Sequence, residues 1–429
     1  MILALFIGGL LVLFAIGIPA AFALGLSSLI VTVVERGIGG VPYTILAQRM
    51  VYAVNSFPLL AIPFFILAGK IMNTGGITDR IYDFAHRLTG HLRGGLGQVN
   101  IAASIIFSGM SGSAVADAVG VGQVEIRAMR KANYPDDFSI GVTAASATVG
   151  PVIPPSIPLI IYAVVGNVSA TALLIAGILP GLLMGVSMMA LVYWQAIRRN
   201  LPTHPWEGFA ALVRSFFRAL PPLITPAIII LGMMSGAFTP TEAAAIAAVY
   251  ATVIAMLVYR EISFAQLVQV LRETMRETAV ILLILAAAGL YGWLLVFTQI
   301  PQQLIALVND FDLSPGMLLL AINLFLLVVG LFMETNAAIT IFTPMLLPMA
   351  VAAGVDPVHF GIMMVLNLMI GMLTPPVGML LFAVAKVANV SMNRALVAVA
   401  PYYIPLLISL LLVTYFPQIS LVLPQLLLR

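Results

Sequence analysis

The 429-residue sequence has no cysteine, so it can build neither a disulfide framework nor a thiolate metal site. It is poor in charge: Asp, Glu, Lys and Arg make up 8% of residues, where a soluble domain carries about a quarter. That shortage leaves no room for a sizeable water-facing domain. With 19 basic and 16 acidic residues the net charge is only +3, which excludes the dense basic surface that a nucleic-acid partner requires. His86, His91, His204 and His359 stand apart without ligand spacing, so no transition-metal centre is expected. The chain also lacks His-Glu-x-x-His, Gly-x-Ser-x-Gly and Gly-x-x-x-x-Gly-Lys, leaving proteolytic, hydrolytic and ATP-hydrolysing chemistry unsupported. Any energy for work must come from an ion gradient.

What the sequence has is apolar surface: 62% of residues are hydrophobic and the mean hydropathy is +1.13. At roughly 20 residues per span, the length accommodates about a dozen membrane crossings in a lipid bilayer. The run Met1-Ile2-Leu3-Ala4-Leu5-Phe6 is apolar from the start and lacks a basic segment, so it is expected to be a first span rather than a cleaved signal. The 22 methionines are scattered singly and read as packing residues.

Basic residues fall in four clusters: Arg80, Arg87 and Arg93; Arg127, Arg130 and Lys131; Arg198, Arg199, Arg214 and Arg218; Arg260, Arg272 and Arg276. The positive-inside rule puts all four in the cytoplasm. Spans are then expected at 2–18, 20–35 and 57–74, with Arg49 on a short outside segment. Only 98–126 separates the first two clusters, and each arm about its Ser-Gly-rich centre is too short to cross, so it reads as a re-entrant hairpin. Then come 139–166, 172–197, a cytoplasmic segment 198–219, spans 221–237 and 242–259, an amphipathic surface helix 261–276, and a span 277–297. The outside segment 298–316 carries Asp310 and Asp312. A second hairpin, 317–350, enters from outside, followed by 359–388 and a last span near 396–416. Both termini are expected on the outer face.

Two stretches match across the halves: Gly150-Pro151-Val152-Ile153-Pro154-Pro155-Ser156-Ile157-Pro158 and Gly371-Met372-Leu373-Thr374-Pro375-Pro376-Val377-Gly378. Proline removes an N–H and clashes with the carbonyl four residues back, so both 139–166 and 359–388 must be broken helices. Non-helical backbone survives at membrane depth only where protein or a cavity surrounds it. Asn167-Val168-Ser169 and Asn389-Val390-Ser391 follow the two breaks at similar distances. With hairpins entering from opposite faces, the order predicts an all-α polytopic membrane protein built on an inverted repeat, with its site near the midplane.

The double prolines free the carbonyls of Gly150, Pro151, Gly371 and Met372, which suit a hard cation, while the half-helices that follow present N–H groups suited to a carboxylate. Ser111, Gly112 and Ser113 at one tip, and Glu334, Thr335 and Asn336 at the other, add oxygen ligands in small-residue surroundings. Asp117 and Glu334 are intramembrane carboxylates and hence functional candidates. The residues alone leave alternatives: proline kinks satisfied by neighbours, Gly and Ser acting as helix packing, and Asp117 capping an arm. The roles of Arg49, Lys70 and Lys386 stay open.

Four motifs carry a resemblance: Ser111 to Ala118 (Ser-Gly-Ser-Ala-Val-Ala-Asp-Ala), Gly150 to Pro158, Gly236 to Ala244 (Gly-Ala-Phe-Thr-Pro-Thr-Glu-Ala-Ala), and Phe57 to Phe65 (Phe-Pro-Leu-Leu-Ala-Ile-Pro-Phe-Phe). In their order over nearly the whole chain, they resemble the DctM-type large membrane subunit of tripartite ATP-independent periplasmic (TRAP) transporters. The resemblance implies a multi-pass protein of the bacterial inner membrane that imports organic acids, such as C4-dicarboxylates or sialic acids, coupled to Na⁺. Its partners would be a small four-helix membrane subunit on a separate chain and a periplasmic substrate-binding protein. It implies an elevator: scaffold segments 1–75, 172–276, 277–316 and 395–429 around mobile halves 76–171 and 317–394. Sodium ligands would come from Ser111, Ser113, Gly150, Pro151, Ile153 and Pro155 in one half. In the other they would come from Gly330, Glu334, Thr335, Gly371, Met372, Thr374 and Pro376. Substrate contacts would come from Ser111, Gly112, Ser113, Asp117, Pro155, Ser156, Thr335, Asn336 and Pro376. No cofactor beyond Na⁺ is implied. A self-sufficient Na⁺/anion symporter, an intramembrane enzyme using Asp117 and Glu334, and a channel are the competing readings.

Overall fold

The computed structural model describes residues 2–73, 76–300, 302, 303, 305, 306 and 314–428, and these form helices without a strand. Asp310 and Asp312 lie outside the described residues. Seven helices are long and apolar enough to cross a membrane: Ala170–Arg199, Phe209–Met234, Pro240–Val258, Phe264–Phe297, Pro315–Phe332, Thr335–Ala352 and Met392–Tyr415. Tyr43–Val54 and Phe57–Met72, bent by 60° at their junction, add an eighth if taken as one span.

Two helical hairpins occur where the pattern predicts them. Leu96–Ser111 ends at Gly112, whose φ of 59° is left-handed, and the chain turns back through Ala114–Val119 and Val121–Lys131. Pro315–Phe332 ends at Met333 and returns as Thr335–Ala352. Both prolyl interruptions are also present. Asp136–Ser146 and a short 3₁₀ turn stop before the first double proline, and the helix resumes as Ile157–Val165. Pro357–Gly371 stops before the second and resumes as Met379–Ala388. Pro154-Pro155 and Pro375-Pro376 are cis peptides.

The Asn-Val-Ser turns are the same device used twice. Asn167 and Asn389 take left-handed φ of 53° and 56°. Ser169 and Ser391 then cap the next helices, accepting from the N–H of Ala172 and Arg394 at 3.2 and 3.4 Å.

Several boundaries differ from the expectation. The separate surface helix 261–276 and span 277–297 are one helix, Phe264–Phe297, started by a Ser263–Gln266 capping box and free of proline. Its 34 residues extend about 51 Å, well beyond a hydrocarbon core of about 30 Å, so the polar turns are its protruding end. Lys70 binds Glu273 and Glu277 on that end, at 3.1 and 2.9 Å. The expected segment 198–219 is helical from Phe209, continuous with the span to Met234 despite Pro221, Pro222 and Pro226. The short segment that carries Arg49 is a helix, Tyr43–Val54, and a further helix, Gln418–Leu427, follows the last span.

Candidate functional site

Each hairpin is held to its interrupted helix by buried amides and hydroxyls at the same offset. Asn100 lies eleven residues ahead of Ser111, and Asn323 eleven ahead of Glu334. Asn100 donates to Thr143 Oγ1 and accepts from Ser146 Oγ, both at 2.7 Å, and Ser104 extends the chain to Ser146 at 3.1 Å. Asn367 donates to Asn323 Oδ1 at 2.7 Å, and Asn323 donates to Thr414 Oγ1 at 2.9 Å. Buried amides in lipid need such partners. The equal spacing, eleven residues ahead of each tip, is the sequence signal for these pairs.

At the first tip, Ser111 Oγ donates to Asp117 Oδ1. The other carboxylate oxygen of Asp117 is buried without a hydrogen-bond partner among the described residues and points at Gly150, where a Cβ would lie 2.5 Å from it. A Cβ on Gly112 would lie 2.5 Å from the Pro155 carbonyl. The tip thus rests on the first break, and glycine at both positions permits it. Ser113 caps Ala114–Val119, accepting from the Ala116 N–H at 3.4 Å. Ser156 caps Ile157–Val165, accepting from the Leu159 N–H at 3.2 Å, and donates to the Pro151 carbonyl. Ile153 is 7% exposed and buried against the neighbourhood of Gly181. From outside the hairpin, Gly69 meets the tip, a Cβ there falling 3.0 Å from Ser111 Cα.

At the second tip, Glu334 caps Thr335–Ala352, accepting from the Ala337 N–H at 3.1 Å and from Asn336 Nδ2 at 2.7 Å. Thr335 Oγ1 and Asn336 Oδ1 are buried without hydrogen-bond partners among the described residues. The hairpin meets its break backbone to backbone: a Cβ on Gly371 would fall 2.6 Å from Gly330 Cα. The Val377 N–H donates to the Leu331 carbonyl at 3.2 Å, and Thr374 Oγ1 donates to the Ile370 carbonyl at 3.0 Å. Pro376 is exposed, whereas Pro154 and Pro155 are buried.

Of the four carbonyls read as freed, Pro151 accepts from Ser156, Gly371 from the Thr374 N–H at 2.9 Å, and Met372 from the Leu380 N–H at 3.2 Å. The loops close on themselves around each double proline, because a capping hydroxyl or a displaced N–H replaces the lost helical donor. Each carbonyl keeps a second lone pair.

The halves interlock crosswise. Met379–Ala388, after the second break, packs on Ala114–Val119, after the first tip; Ile157–Val165, after the first break, packs on Thr335–Ala352, after the second tip. The tip and break residues of each half are therefore brought together, and each half's half-helix leans on the other's hairpin.

Paired hairpins, twin interruptions and seven or more long apolar helices define a multi-pass membrane protein of the transporter class. The chain belongs to the family described as "Tripartite ATP-independent periplasmic transporter, DctM component", whose profile matches residues 7–419. It is similar to the sialic acid TRAP transporter large permease protein SiaM of Vibrio cholerae, 45% identical over 419 residues, 98% of this chain and 97% of that one. The 2,3-diketo-L-gulonate TRAP transporter large permease protein YiaN of Escherichia coli is 40% identical, over 99% of each chain. The C4-dicarboxylate TRAP transporter large permease protein DctM of Pseudomonas aeruginosa is 41% identical, over 89% of each. Among solved structures, the YdaH transporter of Alcanivorax borkumensis shares the fold, with a TM-score of 0.69 at 15% identity, covering 95% of this chain and 98% of that one. The relatives are permease subunits of transporters, which removes the intramembrane-enzyme reading.

Proposed function

We propose that this chain is the large membrane subunit of a Na⁺-coupled, binding-protein-dependent importer of organic acids, working as an elevator in the bacterial inner membrane. The observation that carries the reading is the pairing of each hairpin tip with its own prolyl break, Gly112 on Pro155 and Gly330 on Gly371, in an interlocked repeat. The hairpins are re-entrant from opposite faces, and both termini are periplasmic. The halves 76–171 and 317–394 move together against a scaffold of the remaining helices.

One Na⁺ is held by Ser111, Ser113 and carbonyls of the Gly150 to Pro155 break, including Ile153. Another is held by Glu334, Thr335 and Thr374 with carbonyls of Gly330, Gly371, Met372 and Pro376. The unpartnered oxygens of Asp117, Thr335 and Asn336 support open coordination between the tips. The solute sits there against Ser111, Gly112, Ser113, Asp117, Pro155, Ser156, Thr335, Asn336 and Pro376, its carboxylate facing the N–H groups of the half-helices. Relatives named for sialic acid, diketogulonate and C4-dicarboxylates support an organic-acid solute. The partners are a small four-helix membrane subunit and a periplasmic binding protein, in keeping with a tripartite family and large-permease relatives.

Proteoliposomes holding this chain and its small subunit, given the loaded binding protein and an inward Na⁺ gradient, should accumulate the solute. Uptake of free solute by this chain alone would point instead to a self-sufficient symporter. Ser111→Ala with Ser113→Ala should raise the Na⁺ concentration for half-maximal uptake, and an unchanged Na⁺ dependence removes those hydroxyls from the site.

A further inference from the structure

Behind the first tip lies a second acid that the proposed tip sites do not use. Glu125, on Val121–Lys131, is 1% exposed, and neither of its carboxylate oxygens has a hydrogen-bond partner among the described residues. No Lys, Arg or His among them forms an ion pair with it. An unpaired buried carboxylate costs several kcal/mol to hold, so some cation must offset it.

Its surroundings are polar on each packed side. Its helix packs on Leu96–Ser111, which carries the buried Asn100, on Ala114–Val119, which carries Asp117, and on Ile77–Thr89, which carries Tyr82. The Tyr82 hydroxyl is itself buried and unpartnered, as is Thr78 Oγ1 one turn before it. On Asp136–Ser146, Asp136 pairs with Arg130 at 2.9 Å and Asp137 with Arg199 at 2.7 Å, and on Ile77–Thr89, Arg80 pairs with Glu261 and Arg87 with Asp83. Lys386, on Met379–Ala388, makes no ion pair with Glu125. At the matched offsets from the second tip stand Thr340 and Pro348, so the pair Asp117 and Glu125 belongs to the first half alone.

We propose that Glu125, with Asn100 and the Tyr82 hydroxyl, forms a monovalent-cation site on the hairpin's return arm, separate from the tip sites. The site joins the hairpin to helix Ile77–Thr89, so loading it couples cation occupancy to the contact between them. The inference rests on the importer reading only for its use in transport.

Two cations share this chemistry, H⁺ and Na⁺, and the test separates them. The purified full chain in lipid nanodiscs is titrated with acid at fixed Na⁺, then with Na⁺ at fixed pH, with no organic solute present. A bound proton gives a protonated-carboxyl infrared band that Na⁺ leaves unchanged and that disappears in Glu125→Gln. A bound Na⁺ gives a Na⁺-dependent shift of the carboxylate stretch, also lost in Glu125→Gln. Tyr82→Phe, which keeps the packing, should displace the same band and serves if Glu125→Gln does not fold. Spectra of Glu125→Gln, or of Tyr82→Phe in its place, that match the native protein at every pH and Na⁺ concentration overturn the proposal. Since the readout needs no transport, this failure and a failure of uptake are separate results.

Discussion

The two hairpins meet their breaks by different means. The first adds side chains to its backbone contact of Gly112 on Pro155: Ser111 binds Asp117, whose second oxygen faces Gly150, and the double proline beneath is buried. The second uses bare backbone: Gly330 lies on Gly371, Glu334 caps its own helix, and Pro376 is exposed. Matched topology therefore does not mean matched chemistry. The first half keeps its acids behind the tip, at Asp117 and Glu125, while the second carries its acid on the tip, at Glu334. Two interlocked hairpin-and-break units need equal packing geometry, whereas each tip can hold a different set of oxygens.

The largest expected effect tests the backbone contact. Gly371→Leu places a side chain where a Cβ already falls 2.6 Å from Gly330 Cα. It should cost about 1–3 kcal/mol through overpacking and abolish uptake. Gly112→Ala, at φ 59°, should cost about 1–2 kcal/mol from the left-handed backbone alone. Thermal unfolding in detergent ranks the two, and a well-tolerated Gly371→Leu would mean that the second hairpin does not sit on its break.

Next come the amide pairs. Asn100→Leu and Asn323→Leu each remove two side-chain hydrogen bonds, and each bond between membrane helices is worth about 0.6 kcal/mol. Equal losses of about 1 kcal/mol uphold the equivalence of the halves; a loss confined to one breaks it. Among the tip caps, Glu334→Ala should cost about 1 kcal/mol and Ser113→Ala less, because its cap bond is long at 3.4 Å. The reverse order would make Ser113 the more structural of the two.

The smallest effect lies where the first half meets the segment that follows it. The His86 and His204 rings meet at 4.8 Å, and burial, then the neighbouring His204, hold the His86 ring below its ordinary 6.5. The folded ring resists a proton that the unfolded one takes up, so the contact is intact above pH 6.5 and weakens as pH falls through that value. Limited proteolysis around 200–208 should quicken between pH 7 and pH 5, and a flat profile removes the histidine contact as a tether.

Much of this was legible in one dimension. Proline has no N–H, so Pro154-Pro155 and Pro375-Pro376 mark breaks wherever they stand, and the repeated Asn-Val-Ser marks a left-handed turn followed by a cap. Charge scarcity fixed the membrane setting, and the spacing of basic clusters fixed where short arms must turn back. Helix joins were less legible: nothing in hydropathy says whether 261–276 and 277–297 are one helix, because a polar turn extends a span as readily as it ends one. His86 and His204 looked isolated because ring contact depends on where a surface helix and a linker meet.

The sequence by itself determined a cysteine-free, all-helical membrane protein with two hairpins and two interrupted helices, since backbone donors and desolvation act locally. Only the tertiary structure decided which oxygens are left open. Pro151, Gly371 and Met372 accept hydrogen bonds from within their own loops, while Asp117, Glu125, Thr335 and Asn336 keep buried oxygens unpartnered among the described residues. That outcome depends on which helix packs against which, because a buried polar atom is satisfied by whatever neighbour the fold brings within about 3 Å.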